Sequence, residues 1–431
     1  MKNSIPKSRL LNRQDIKTLS LSSLGGTLEF YDFIIFVFFA QTIAHLFYPA
    51  TLDPFLSTLN TYGTFAAGYF ARPLGGIVMA HLGDKNGRKN MFMLSILLMV
   101  IPTFLMGILP TYESIGYFAP IILLLIRIFQ GIAIGGELPG AWVFVCEHTH
   151  KNRLGFSIGV LTSCVVGGIL LGSIVAFCIN FIFDSREITQ YAWRIPFLLG
   201  GLFGIISIFL RRYLHETPIF QEMKRSDSLV KIPIKKVFQT AKINIMISML
   251  STWILTGCIV VLILLVPNIM KSTLSTQETH IILIQMLAIF SLIIGCILSG
   301  GLADKIGISK ACIVFSFAFA ITSLIFFYTL YHCNDNKNIF MWYVIVAFFA
   351  GVMNFTPLTM LCIFPPNIRF SGLSFSYNLA YAIFGGFAPI LVVNLNAYNP
   401  ILVGYYLAFL GVIGIFIGIF IYFFQKSEET R

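Results

Sequence analysis

"GDKNGRK", residues 83–89, is a polar turn set between two apolar runs, and a near copy, "ADKIGIS", stands at residues 303–309. Asp84 and Asp304 lie 220 residues apart, and the same offset relates Gly131 to Gly351. A looser echo links "NRLGFS" (152–157) with "IRFSGLS" (368–374). Glycines, one acid and several cations in seven residues suit a tight turn between antiparallel helices at a charged surface. The return of this turn half a chain later points to a duplicated unit.

The composition says what that unit is made of. The chain is 57% hydrophobic and 11% charged, against about a quarter charged in ordinary soluble domains. Too little polar surface is present to keep a globule of this size in water. Twelve apolar runs follow one another, at about 20–46, 58–82, 90–110, 118–145, 154–182, 194–212, 243–270, 278–301, 310–331, 340–364, 372–396 and 401–424. Each approaches the ~20 residues that cross a bilayer as a helix. The longest polar break, 211–242, parts six runs from six. The expected organisation is a tail (1–19), a six-helix bundle (20–212), a linker with some amphipathic helix (213–242), a second six-helix bundle (243–424) and a tail (425–431). This is an all-α membrane protein, and duplicated bundles of this kind place a substrate site near mid-membrane where the halves meet.

Charge sets the expected orientation. With both termini on one side, 23 of the 29 Lys and Arg fall in the tails and loops of that side, and Arg186, Lys271 and Lys337 fall on the other. By the positive-inside rule both termini are cytoplasmic. The net charge of +11 then reports topology and anionic lipid, and no nucleic-acid partner is expected. The first apolar run is far longer than a signal-peptide core, so it is expected to remain in the mature protein. Of the eight cysteines only Cys333 is placed on the outer side, so structural disulfides are not expected. "CEHTH" (146–150) gathers possible metal ligands, but no second cluster completes a set of four. Neither a phosphate-binding loop, nor HExxH, nor a dinucleotide fingerprint occurs. No metal, no cofactor, no catalytic residue and no enzymatic activity are expected, and an ATP-driven pump is disfavoured.

The residues resemble the major facilitator superfamily, and within it the metabolite:H+ symporter family, which includes bacterial carriers for 2-oxoglutarate, citrate, shikimate and proline/betaine. The resemblance rests on "LEFYDF" (28–33), "RPLGG" (72–76) followed by "GDKNGRK", "RIFQGIAIGGE" (127–137), "EHTHKNRLGF" (147–156), "WRIPFLLGG" (193–201), "LHETPIF" (214–220) and "FPPNIRFSGLSFSYNLAYAIFGGFAP" (364–389). These cover both halves and nearly the full length. Osmosensing carriers of the family end in a long coiled-coil tail whereas this chain stops at "QKSEETR", so osmosensing is not expected. The resemblance implies two helical bundles rocking about a central site. It also implies a cytoplasmic gate of salt bridges, carried here onto Asp84, Arg88, Glu147, Arg153 and Glu216 in the first half and Asp304 and Arg369 in the second. Position 308, which repeats Arg88, is Ile308, so the second gate is expected to be the weaker.

Charges inside the runs carry the mechanism. A charge at the bilayer centre costs roughly 2.5 kcal/mol or more, so such residues tend to be functional. Glu29 and Asp32 are three apart and share a helix face. Arg72 and Arg127 sit at similar depth in the second and fourth runs. Burial favours the neutral carboxyl and a neighbouring arginine favours the charged one, which leaves such a group poised to take and release a proton. Arginine stays charged and its planar fork grips a carboxylate. Asp32 and Glu29 are therefore the candidates for proton coupling, and Arg72, Arg127, Gln130 and Tyr31 for substrate contact. A permanent ion pair fastening the first helix to its neighbours fits the same residues. Displacement by 220 turns Glu29, Asp32, Arg72 and Arg127 into Met249, Thr252, Leu292 and Ala347. Coupling should therefore reside in the first half, with Asn354, Tyr377, Asn378 and Tyr381 of the second as polar and aromatic wall. Glu137, nearer the cytoplasm on the same stripe as Arg127 and Gln130, is assigned to the gate. Arg194 is read as an interface anchor beside Trp193. Small residues in "QGIAIGG" (130–136) and "AIFGGFAP" (382–389) let helices approach and slide.

The expected function is proton-coupled uptake, by a monomer of the bacterial inner membrane, of a small carboxylate-bearing metabolite, an organic acid or a zwitterion such as proline or betaine. An efflux antiporter would use the same acids. A receptor that binds without transport is the rival from another class.

Overall fold

A computed structural model describes residues 13–49, 51–226, 233–274, 277–333, 335–399 and 401–429. In hydrocarbon every backbone N–H and C=O needs a partner within the protein, which a helix supplies along its whole length. Twelve long helices result: α1 (Arg13–Phe38, resumed after a break at Phe39 as Ala40–Phe47), α2 (Pro54–Asn86), α3 (Arg88–Ile108), α4 (Phe118–His148), α5 (Leu154–Ile182) and α6 (Arg194–Arg211) in the first half. The second half holds α7 (Lys242–Thr273), α8 (Glu278–Ile306), α9 (Ile308–His332), α10 (Asn336–Ile363), α11 (Arg369–Tyr398) and α12 (Ile401–Glu429). Eleven of them are long and apolar enough to cross a membrane by length and composition among the described residues; α2, which carries Arg72, Asp84 and Lys85, is the twelfth. Side chains such as Phe70, Leu74 and Phe416 are more than half exposed on the outer surface, as a lipid-facing wall requires. Two short helices, Pro218–Arg225 and Pro233–Thr240, lie in the linker.

The duplication is visible in the packing. Helices α1 and α5, α2 and α4, and α3 and α6 pair in the first half, and α7 and α11, α8 and α10, and α9 and α12 repeat those pairs in the second. The halves meet where α5 packs on α8 and α2 on α11. Both copies of the turn use glycine in the left-handed region, Gly87 at φ +113° and Gly307 at φ +91°, a conformation a side chain would resist. The glycine at the 131/351 offset is also explained. A Cβ on Gly131 would overlap the backbone of Gly68 across the α2–α4 contact, and one on Gly351 would overlap Gly295 across α8–α10. Gly131→Ala should therefore lower stability by about 1–3 kcal/mol, read as thermal unfolding in detergent. Gly167→Ala, where a Cβ meets nothing within 4 Å, is the neutral control.

Three departures from regular helix fall in the second half. α7 widens into π-helix over Gly257–Leu265, α11 does so over Tyr381–Gly385, and α10 tightens to 3-10 helix over Ala350–Asn354. Such turns commonly mark functional or hinge segments. The reading of Arg194 as an interface anchor beside Trp193 needs correction, beginning with Trp193. It is fully buried, edge-on to Phe47 at 5.5 Å, in an aromatic cluster of the first half, so it is no lipid-interface anchor. Arg194 instead donates to the Gly107 and Leu109 carbonyls (3.1 and 2.8 Å), which closes the C-terminus of α3.

Candidate functional site

Asp32 of α1 is buried, and its Oδ2 accepts from Gln130 Nε2 of α4 at 2.7 Å and lies 3.6 Å from an Arg127 guanidinium nitrogen. Gln130 faces Asp32 because it sits one helical turn after Arg127 on α4, and Arg127 donates to its Oε1 at 2.5 Å. The Gln130 amide also donates to Thr103 Oγ1 of α3 at 3.1 Å, and the Arg127 guanidinium lies 3.8 Å from the Phe36 ring centre. Asp32 Oδ1 has no hydrogen-bond partner among the described residues. A buried carboxylate with a cation at 3.6 Å and a spare oxygen is a site that a proton or a substrate can reorganise.

Beside it lies a cavity of about 30 Å³ lined by Asp32, Tyr69, Arg72, Arg127, Gln130 and Ile134, with Gly68 and Gly131 at the helix contact. That volume admits about two waters. No metabolite fits until the bundle opens. The Arg72 guanidinium of α2 lies against three tyrosine rings. Its guanidinium carbon is 4.5 Å from the centre of Tyr381, 5.7 Å from Tyr69 and 5.8 Å from Tyr377. Tyr69 stacks on Tyr381 with centres 5.5 Å apart and planes 12° from parallel.

Among the other expected contacts, three sit elsewhere. Tyr31 adjoins Asp32 in sequence and so points about 100° away around the helix, where its hydroxyl donates to the Pro196 carbonyl of α6 at 2.8 Å. Asn354 accepts from Thr162 of α5 at 3.1 Å on the seam between halves. Asn378 donates to the Gly135 carbonyl of α4 at 2.7 Å, and Ser374 donates to the Gly76 and Gly135 carbonyls at 3.0 Å each. These bonds close the seam below the cavity. The side chain of Glu29 lies outside the described residues. Tyr69 and Thr103 were not singled out from sequence. Tyr69, three residues before Arg72, shares its helix face; nothing in the apolar run around Thr103 marks it.

On the side that bears the termini, each half's repeated aspartate reaches the other half. Asp84 accepts from the backbone N–H (3.1 Å) and hydroxyl (2.6 Å) of Ser371 in the first turn of α11, and pairs with Arg88. Asp304 accepts from the backbone N–H groups of Gly155 and Phe156, 2.7 and 2.8 Å, in the first turn of α5, with Arg153 close by. Each carboxylate thus meets the positive end of a helix in the opposite bundle. Arg88, buried, also lies 3.6 Å from Glu147 and donates to the Pro366 carbonyl at 3.4 Å. Glu216 accepts from the N–H groups of Arg88 and Lys89 at the start of α3, and Glu147 accepts from the Thr217 hydroxyl. Arg369 donates to the Phe364 carbonyl within its own half. Glu137 pairs with Arg211 at the end of α6 and accepts from Ser95, both ends of the pair being fully buried. It joins two helices of one bundle and does not bridge the halves.

Asp84→Ala or Asp304→Ala should each cost the closed arrangement about 1–2 kcal/mol, a shift of roughly tenfold in the closed-to-open ratio. Spin labels at Asn86 and Lys310 would read it as a longer-distance population.

The model of the Major Facilitator Superfamily matches residues 24–364. The chain is 32% identical over 422 residues to a proline/betaine transporter of Salmonella typhimurium, covering 94% of this chain and 82% of that one. It is 30% identical over 430 residues to a glycine betaine/proline/ectoine/pipecolic acid transporter of Dickeya dadantii, with the same coverage of 94% and 82%. Among solved structures, the proton:xylose symporter XylE superposes with a TM-score of 0.79 at 16% identity over 95% of each chain. The Escherichia coli fucose:proton symporter gives 0.70 at 12% identity over 96% of this chain and 99% of that one.

Proposed function

This chain belongs to the Major Facilitator Superfamily, and from that premise we propose that it is a proton-coupled symporter taking up a small carboxylate-bearing zwitterion, proline or a betaine, by alternating access. Curated relatives at 30–32% identity that are proline/betaine transporters support the substrate class. The observation that carries the reading is the buried Asp32, joined to Gln130 and Arg127 and bordering a cavity at the meeting of α1, α2 and α4.

The geometry supports a simple coupling. In the closed site Arg127 neutralises Asp32. A substrate carboxylate that draws the Arg127 fork to itself leaves Asp32 without its counter-ion in a poorly solvated place, where a carboxyl takes a proton more readily. The loaded, protonated site then carries no new net charge beyond the proton, and the bundles can rock. Opening at the termini-bearing side lets substrate and proton leave, and Arg127 returns to Asp32. The carboxylate anchor is thus Arg127, with Arg72 in reach of the same cavity. The seam bonds of Asp84, Asp304, Ser374 and Asn378, together with Arg88, Glu147 and Glu216 behind them, act as the gate that must break. Both halves of the pathway lie in one chain, which suits a monomer. We place it in the bacterial inner membrane with both termini cytoplasmic, following the basic loops.

Reconstituted in proteoliposomes, the chain should accumulate labelled betaine or proline under an imposed pH gradient, acid outside. Uptake that only equilibrates, gradient or none, would overturn the proton-coupled reading.

A further inference from the structure

We propose that Tyr69, Tyr377 and Tyr381 form a cage for the substrate's ammonium head, and that the Arg72 guanidinium occupies this cage as an internal stand-in that the ammonium displaces. The inference rests on the zwitterion reading above and adds where the positive end goes. Arg72 is buried and lies within 6 Å of all three ring centres, 4.5 Å from the nearest. That distance range is the one in which a cation is held by the faces of aromatic rings. The cage is shared. Tyr69 comes from α2 in the charged half, and Tyr377 and Tyr381 come from α11 in the half whose helices lost the corresponding charges. Tyr381 opens the π-helical stretch Tyr381–Gly385, and its ring stacks on Tyr69 with centres 5.5 Å apart.

Two features select the ligand. The rings attract positive charge but accept N–H hydrogen bonds weakly, so they favour a head whose hydrogens sit on carbon: a methylated or ring-substituted ammonium over a primary one. Arg72 and Arg127 border one cavity, so a head in the cage leaves the carboxylate of a short zwitterion facing Arg127. When the ammonium enters, Arg72 swings out and becomes a second donor to that carboxylate. Because the cage needs rings from both halves, filling it draws α11 toward α2, and recognition is tied to closure.

The test uses the full chain in detergent and in proteoliposomes, with glycine betaine, its uncharged-head isostere tert-butylacetate, and tetramethylammonium. The native protein should prefer betaine to tert-butylacetate by about tenfold or more. Tyr381→Leu and Tyr69→Leu should bring that ratio close to one, and Tyr381→Phe, which keeps the ring face, should preserve it and serves as the folding control. Arg72→Met should empty the cage and strengthen tetramethylammonium binding about tenfold, an effect lost when Tyr381→Leu is added. Unchanged ratios in the leucine variants, or tetramethylammonium binding indifferent to Arg72→Met, overturn the cage while betaine uptake leaves the transport reading standing. If no probe binds or is carried by the native chain, the zwitterion reading itself falls, and the cage with it.

Discussion

Asp32→Asn should abolish accumulation driven by a pH gradient while sparing exchange of substrate across the membrane. Each pH unit is worth about 1.4 kcal/mol per proton, a factor of ten in concentration. With one proton per substrate, a gradient of about two units supports roughly a hundredfold accumulation by the native protein. The variant should reach a ratio near one. Asparagine keeps the shape and can still accept from Gln130, whose amide lies 2.7 Å from Asp32, but it cannot take a proton. Counterflow, which needs only binding and rocking, should therefore persist within a fewfold of native. The comparison separates two roles that the static geometry allows. If Asp32 only fastens α1 to α4 through Arg127, 3.6 Å away, the variant will be less stable to heat and both modes will fall together. Accumulation that survives in the variant would remove Asp32 from the coupling.

Arg211→Leu should cost about 3–5 kcal/mol of stability, because Glu137 would be left as a buried charge without its partner. The pair is fully buried. Ser95 donates to Glu137, and Arg211 donates to the Phe92 carbonyl at 3.0 Å and covers the Phe92 ring at 3.7 Å. Gly25 of α1 packs so closely on the two charged groups that a Cβ there would overlap both. Replacing both partners, Glu137→Leu with Arg211→Met, removes the charges together and should return most of that stability, as apolar replacements of buried ion pairs often do. The measurement is thermal or denaturant unfolding in detergent, paired with uptake. Both residues belong to one bundle, so rocking does not part them, and the double variant should transport at near the native rate. A double variant that folds well but no longer transports would put the pair back among the moving parts.

How much of this could be read from the residues differs between fold and site. The repeat at 220, the apolar runs and the polar break at mid-chain sufficed for a twelve-helix duplicated membrane protein, because the bilayer leaves the backbone few alternatives. The central charges were legible for the same reason: Asp32, Arg72 and Arg127 are expensive in hydrocarbon and stand out. Partners were harder. Arg211 sits at the edge of a basic linker and reads as one more surface cation, yet it is fully buried against Glu137. Trp193 beside Arg194 has the composition of an interface belt, and only packing against Phe47 and Phe197 shows it to be core. Tyr31 and Asp32 adjoin in the chain and diverge in space, a difference that helical phase could have supplied. The gate was expected as salt bridges from family resemblance; Arg88 does pair with Asp84 and lies near Glu147, and the two repeated aspartates in addition accept from backbone N–H groups at helix starts of the opposite half, with Ile308 in place of a second Arg88. A lost cation leaves that second contact usable, since the helix end supplies the positive charge.

The wide and tight turns of α7, α10 and α11 leave the two bundles unequal in kind. The bundle that holds Asp32, Gln130 and Arg127 keeps regular helix at those positions, whereas its partner interrupts three of its helices and contributes the rings of Tyr377 and Tyr381. Variation around the irregular turn at Tyr381 can then be confined to the ring-bearing half, leaving the helices that hold Asp32, Gln130 and Arg127 as they are.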